Sequence, residues 1–344
     1  MRLNPKSLLC RARLGLRPAL RLLILLLLCS PPAHSQDGVW SRQKTGSLAW
    51  LHGVFFLDEN RGWAIGSKGT LLKTRDGGVS WQVGTKPSPD ILRDLYFVDE
   101  QNGWILCEAN VYELKHKEDP RTYVIQTTDG GESWKRADIS DGDSRLVRMV
   151  FSKGGRIWAF GEGGTIFTTR DSGLTWAPVP SPTRHLLLGG VFLDDERGWL
   201  VGAGATIMQT SDGGSTWQLV RLTEASQGAV RFAAISFIDP HWGWAVGSGG
   251  SVYHTSNGGR SWRRQASPVA ADLLDVKFLD AFEGWAVGAE GTIIHTADGG
   301  EHWTVEPSGT EHSLERVFFL NRDHGWVSGF GGTLLHYRRL PAKR

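Results

Sequence analysis

The stretch GWAVGSGGSVYHTSNGGRSW, residues 243–262, holds two short motifs back to back. The first is a Gly-Trp pair that opens onto an apolar run and a glycine turn. The second is a Thr-x-Asn-Gly-Gly-x-Ser-Trp turn. Both recur along the chain. The second returns as TRDGGVSW (74–81), TTDGGESW (127–134), TRDSGLTW (169–176), TSDGGSTW (210–217) and TADGGEHW (296–303). The first is centred on Trp63, Trp104, Trp158, Trp199, Trp244, Trp285 and Trp326. Thirteen of the 16 tryptophans therefore follow a period, which makes the chain a repeat protein before any other property is weighed.

The spacing is nearly rigid. From each Gly-Trp tryptophan to the Asp or Asn of the next turn is 13 residues in five repeats and 25 in the second. From that residue to the next Gly-Trp tryptophan is 28 or 29, except 32 between Asp212 and Trp244. A period of this size, divided into four short strands, is one blade of a β-propeller. The first repeat reads as strands at GVFFLD (53–58), GWAIG (62–66), TLLKT (70–74) and SWQVG (80–84), joined by glycine and Asp-Gly turns. Seven Gly-Trp motifs predict seven blades. The last lacks its turn, and DGVWSRQ (37–43) supplies the missing outer strand, with Trp40 in phase. The N-terminal strand is expected to close the ring, which removes the free sheet edges.

The turn residues Asp76, Asp129, Asp171, Asp212, Asn257 and Asp298 are expected to accept backbone N–H bonds, their glycines to take positive φ. Trp81, Trp134, Trp176, Trp217, Trp262 and Trp303 are expected to bury large rings between neighbouring blades. Six near-identical acids spread round a ring are scaffold, not catalysis.

These Ser/Thr-x-Asp-Gly-Gly-x-Ser/Thr-Trp turns resemble Asp-box (BNR) repeats. Their pairing with segments such as GWAVGAEGT (284–292) is similar to the photosystem II stability/assembly factor family of seven-bladed propellers. The resemblance covers essentially the whole chain after the leader. It implies an exported, non-enzymatic assembly factor that holds a membrane-protein subunit during biogenesis. Similar propellers occur in bacteria without photosystems, so the photosystem itself is not implied. Single Asp boxes also occur in sialidases, sortilin-type receptors and some endoglucanases. Asn257, Ser172 and His302 depart from the box pattern and should weaken individual turns only.

Residues 1–35 carry Arg2, Lys6, Arg11, Arg13, Arg17 and Arg21 with no acid, then LLILLLLC and SPPAHS. That is the pattern of a signal peptide cleaved near Ser35, giving a secreted or periplasmic protein, with an uncleaved anchor as the alternative. The whole chain has 38 basic and 36 acidic residues; without the six leader cations the balance is 32 − 36, or −4. A globally basic nucleic-acid binder is disfavoured. Cys10 and Cys29 leave with the leader, so Cys107 has no disulfide partner.

Hairpin parity places the Asp boxes on one face. The connections between second and third strands, and the links between blades, lie on the other. Both insertions, 107–126 and 223–230, decorate this second face, where variable loops carry function. It also carries the entries to the inner strands. One residue before each strand core stand Gly53, Asp94, Arg148, Gly189, Ala234, Asp275 and Arg316; one earlier stand His52, Arg93, Val147, Leu188, Ala233, Leu274 and Glu315. Arg93, Arg148 and Arg316 are expected to converge at the channel mouth, with Arg231 and Arg184 nearby. Two readings stand. The guanidinium forks grip carboxylates, phosphates or an acidic peptide, or Asp94–Arg148 and Asp275–Arg316 neutralise one another across blade boundaries.

A sialidase site is disfavoured, because Tyr96, Tyr253 and Tyr337 sit in strand phase and no Phe-Arg-Ile-Pro segment occurs. A glycosidase needs two carboxylates about 5–9.5 Å apart. Asp94 and Asp275 are the best pair, but they stand nearly across the ring beside arginines that would spoil a general acid. For metals, DGDS (141–144) lacks spaced ligands, and His241, His295, His302, His312 and His324 show no ligand spacing. No cofactor or metal is expected. The sequence thus predicts an all-β, seven-bladed propeller over 36–344. It would be a monomeric scaffold for a protein partner, such as a membrane-protein subunit or peptide segment, with no nucleic acid bound. A carbohydrate-binding or glycoside hydrolase propeller is the alternative.

Overall fold

The computed structural model describes residues 38–340, apart from 115, 117–118, 140–143, 221 and 223–229. The leader with its cleavage near Ser35, most of the 223–230 expansion and the acidic run at 141–143 lie outside these residues. The described strands form seven antiparallel four-stranded sheets. Inner strands run Leu51–Phe56, Ile91–Phe97, Leu146–Phe151, Leu187–Phe192, Phe232–Phe237, Leu273–Phe278 and Leu314–Phe319 in blades 1 to 7. Each packs against the inner strand of the next blade, and the last against the first. The fold is a seven-bladed β-propeller. Blade 7 takes its outer strand from Gly38–Arg42, paired with Leu334–Arg339 in the register Trp40↔Tyr337. The N-terminal strand closes the ring as its phase predicts.

The boxes work as hydrogen-bonded turns. Asp76 Oδ1 accepts the Ser80 N–H at 2.9 Å and the Thr74 hydroxyl at 2.8 Å, and Oδ2 accepts the Ser80 hydroxyl at 2.6 Å. The same pattern recurs at Asp129, Asp171 and Asp212. Gly77 and Gly78 take φ of 70° and 88°, and Ser172 is held at φ 59° where most boxes have glycine, a strained choice for a residue with a Cβ. The other departures keep the bonding. Asn257 Nδ2 donates to the Ser261 hydroxyl at 2.8 Å, and the His302 ring replaces the usual hydroxyl on Asp298 at 2.7 Å.

The blade seams refine one expectation: the box tryptophans join clusters that span two blades. The large ring that crosses the boundary is the Gly-Trp tryptophan, stacked on the phenylalanine that ends the next inner strand except at Trp104, which lies tilted 5.7 Å from Phe151. Trp158 lies 3.6 Å from Phe192, Trp244 3.5 Å from Phe278, and Trp326 3.5 Å from Phe56, all near parallel. The box tryptophan meets that phenylalanine edge-on within its own blade, as Trp81 does Phe56 and Trp217 does Phe192. Trp81, Trp217, Trp262 and Trp303 are buried, whereas Trp134 and Trp176 are half-buried. In blade 7 Trp40 takes the edge-on place against Phe319.

Every inner strand carries a register shift at the same place, for example between Leu51 and Gly53 and between Leu314 and Arg316. The extra residue kinks the strand and re-aims side chains. This bulge brings two successive residues of each repeat to the channel.

Candidate functional site

The first residue after the buried leading side chain of each inner strand rings the mouth: His52, Arg93, Val147, Leu188, Ala233, Leu274 and Glu315 line one cleft of about 270 Å³. Arg145, Leu186 and Arg231 complete its wall. Beneath it lies a chamber of about 310 Å³ bounded by Asp94, Arg148, Asp275 and Arg316, with Phe55, Tyr96, Phe151 and Phe318 deeper in. Arg148 and Arg316 border both spaces, so the two guanidinium groups form the neck between them. Phe318, Phe55, Tyr96 and Phe151 make a continuous aromatic wall below the neck, with ring separations of 5.3, 5.3 and 4.0 Å. At the register position of Phe55, Tyr96 and Phe318, blades 5 and 6 hold Ser236 and Lys277. Lys277 is solvent-reached yet hemmed in, and that confinement lowers its pKa.

The expected mouth residues Arg93, Arg148, Arg231, Arg316 and His52 do converge, and Asp94 and Asp275 sit one layer deeper. Arg184 is exposed and does not line the cleft. The expected ion pairs do not form. Asp94 Oδ2 accepts the Met149 N–H of blade 3 at 2.9 Å, and Asp275 Oδ2 accepts the Val317 N–H of blade 7 at 3.0 Å. Their Oδ1 atoms accept Leu95 and Val276 N–H, each at 3.1 Å. Both carboxylates bolt neighbouring blades through backbone, a job that the bulge creates by turning those N–H groups away from the ladder. With every oxygen committed, neither is placed as a proton donor.

Arg148 instead crosses the channel. Its Nη2 comes within 3.9 Å of Asp275, three blades away, while Nε donates to the Leu188 carbonyl at 3.3 Å. Arg316 donates to the carbonyl of Glu315 at 2.9 Å, and its Nε is buried without a hydrogen-bond partner. Burial, then the Arg316 charge, bring Arg148 down to about 10. It stays cationic at neutral pH, held beside a like charge. An arriving anion would relieve that repulsion.

Two contributors were missed in the sequence. Glu108 is clamped between Arg93 and Arg145, at 2.5 and 2.7 Å, and Arg145 continues to Glu162 at 3.1 Å. Burial raises the Glu108 pKa, but its two arginines outweigh this and hold it below the ordinary range. Arg145 stands at the register position of Arg231, so extending the repeat alignment two residues outward would have found it. Glu108 exists at that point because the second strand of blade 2 runs on past the place where the other blades turn at glycine. At Gly66 a Cβ would meet the Trp50 carbonyl oxygen at 2.1 Å. Blade 2 places Cys107 there, and its connecting loop spans 109–121. Arg231 pairs loosely with Asp272 at 3.6 Å. His52 is buried; that burial, then the Arg93 and Arg316 charges, push it down to about 3, so the ring is neutral at pH 7. Among the described residues no group of three or more His, Cys, Asp or Glu is arranged to hold a metal ion.

Fold and turns define an Asp-box propeller with a charged mouth on the face opposite the boxes. The family model described as "Photosynthesis system II assembly factor YCF48" matches residues 174–267 and 260–339. Over those residues the chain is similar to the photosystem II stability/assembly factor-like family of Asp-box β-propellers. The photosystem II stability/assembly factor HCF136 of Arabidopsis thaliana is 26% identical over 132 residues, which are 36% of this chain and 29% of that protein. The chain thus matches less than a third of that relative's length. A solved structure titled "YCF48 bound to D1 peptide" superposes with a TM-score of 0.72 at 22% identity, covering 90% of this chain and all (100%) of the other. The GH74 xyloglucanase of Xanthomonas campestris shares the fold, with a TM-score of 0.69 at 14% identity, covering 89% of this chain and 54% of that one.

Proposed function

We propose that this protein is an exported, non-enzymatic scaffold that holds a segment of a partner protein in the channel mouth, in the manner of a membrane-complex assembly factor. One observation carries the reading: Arg148 and Arg316 meet at the neck below the mouth cleft, and among the described residues neither has a carboxylate closer than 3.9 Å. Two guanidiniums without a close counter-charge favour an incoming carboxylate, which accepts from planar forks. The other mouth cations are occupied, Arg93 and Arg145 by Glu108 and Arg231 by Asp272. The match to that family model and the peptide held by the structurally similar YCF48 support a peptide partner. Export rests on the leader pattern, and a relative in a Synechococcus strain is named an assembly lipoprotein. The glycosidase alternative is weakened because both oxygens of Asp94 and of Asp275 accept backbone N–H bonds.

The test is a crosslinking pull-down from the source organism's envelope extract, with the Arg148→Gln/Arg316→Gln variant alongside. Glutamine removes the charge without placing a third acid beside Asp94 and Asp275. Capture of a membrane-protein subunit by the wild type, lost in the variant, is expected. Equal capture by both would overturn the mouth as the site.

A further inference from the structure

The seven repeats act as an internal control on what the scaffold needs. Of the 16 tryptophans, 13 belong to the two motifs and Trp40 completes blade 7. Trp242 and Trp50 remain. Trp242, 37% exposed, leans on His254 and Trp244 of its own blade, on the Asp-box side. Trp50 sits beside the mouth and is 41% exposed. Its ring lies 5.1 Å from that of His52 and meets Phe330 edge-on at 5.5 Å. Phe330, 48% exposed, is met edge-on by His312 at 5.6 Å, and the Thr333 hydroxyl fixes that imidazole at 3.0 Å. Leu48, 89% exposed, borders the adjoining cleft with Gly331 and Gly332.

Nothing in the fold requires these side chains. At the register position of Trp50 the other blades carry Ile91, Arg145, Leu186, Arg231, Asp272 and Ser313. Where Phe330 opens its turn, blades 1, 3, 5 and 6 have Ser67, Glu162, Ser248 and Ala289. The backbone beneath is nonetheless firm: the Trp50 carbonyl accepts the Ser67 N–H at 2.9 Å, and the Phe330 N–H donates to the Ser313 carbonyl at 2.9 Å. A rigid, exposed apolar shelf that the scaffold does not use, continuous with a cleft that seeks a carboxylate, is the composition of an interface anchor.

We infer that Trp50, Phe330 and Leu48 form the specificity shelf of the mouth, and that the partner is an acidic peptide segment carrying a large apolar side chain close to its carboxylate. This rests on the mouth reading above. The acid reaches Arg148 and Arg316 while the apolar side chain lies on the shelf. His52 links the two regions, its ring 5.1 Å from Trp50 and its charge state set partly by Arg316. The neutral His52 ring adds no cation to the shelf, which keeps the two subsites chemically distinct.

The experiment is a random short-peptide display selection on the purified protein, run in parallel on Trp50→Ser/Phe330→Ser and on Arg148→Gln/Arg316→Gln. The serines are residues that other blades carry at these positions, and both native side chains are exposed. Equal melting temperatures check the fold, with Phe330→Ala as a milder second variant. The wild type should enrich peptides with Asp or Glu near Trp, Phe, Leu, Ile or Met. The shelf variant should keep the acidic preference, lose the apolar one and bind a selected wild-type peptide about tenfold more weakly. An apolar preference that is absent from the wild type, or unchanged in the shelf variant, overturns the shelf. An acidic preference absent or insensitive to the arginine changes overturns the mouth reading itself. Sedimentation with phosphatidylcholine/phosphatidylglycerol vesicles that depends on Trp50 and Phe330 would assign the shelf to a membrane surface and overturn the peptide.

Discussion

Replacing Trp40 should open the ring. Its indole is 8% exposed, meets Phe319 edge-on at 5.9 Å and Tyr337 at 5.2 Å, and donates from Nε1 to Glu306 at 2.7 Å. Truncating a buried Trp to Ala removes about 3–5 kcal/mol, against a total of about 5–15 kcal/mol for a folded domain. Trp40→Phe keeps most of the ring contact and removes the donor, at a cost of about 1–3 kcal/mol. Glu306 still has the His295 imidazole at 3.4 Å, which places the Phe variant toward the lower end. Urea unfolding followed by tryptophan fluorescence reads both. With a slope near 3 kcal/mol per M, the Ala midpoint should fall by about 1–1.7 M and the Phe midpoint by a few tenths. A smaller slope in the Ala variant would mean that the N-terminal strand had come away from blade 7 before global unfolding. An Ala midpoint within about 0.2 M of the wild type, at unchanged slope, refutes the claim that the N-terminal strand holds the ring closed.

Acid should destabilise the protein before its carboxylates titrate. Burial, then nearby arginine charge, depress His52 to about 3 and His336 to about 4. The unfolded chain therefore takes up protons below about 6.5 while the folded one does not, and stability falls as pH drops from there toward 4. At pH 5 the loss approaches about 2 kcal/mol for each histidine, visible as a lower urea midpoint than at pH 7; a flat profile would show that the two rings are not held neutral. Cys107 is fully buried, which pushes its thiol pKa up, so a thiol reagent should label it only at the rate of unfolding; rapid native-state labelling would contradict that placement.

What the sequence revealed was whatever the period controls. The spacing of Gly-Trp and box located the inner strands, the blade count and the place of Trp40, because each depends on local turn chemistry repeated in phase. The same counting put Arg93, Arg148 and Arg316 at the mouth. It could not set rotamers. Asp94 and Asp275 turn to the backbone N–H of Met149 and Val317, because the bulge frees those donors and a carboxylate satisfies them at short range. Arg148 reaches Asp275 across the channel, a contact between blades with no sequence neighbourhood at all. Glu108 escaped notice for another reason: it lies on a strand lengthened by an insertion, outside the repeat alignment that guided the search.

The repeats also separate scaffold from function by where they disagree. On the Asp-box face the turn chemistry recurs six times, with substitutions such as His302 that keep the same hydrogen bond. At the mouth the blades differ in chemistry from one side of the ring to the other. Blades 7, 1, 2 and 3 bring Glu315, Arg316, His52, Arg93, Arg145 and Arg148, whereas blades 4 to 6 line it mainly with Leu186, Leu188, Ala233 and Leu274, Arg231 being the cation they add. A seven-fold scaffold has no packing reason to divide its mouth into a charged arc and an aliphatic arc, since the seams are made elsewhere by the Trp-Phe stacks. The division breaks the ring's rotational equivalence. A segment entering with its carboxylate toward the neck keeps that side on the arginine arc, whose blades 1 and 7 also carry the Trp50 shelf, and turns its other side to the leucines. The mouth would then fix the partner's orientation, which an assembly scaffold requires and a merely sticky cation patch would not provide.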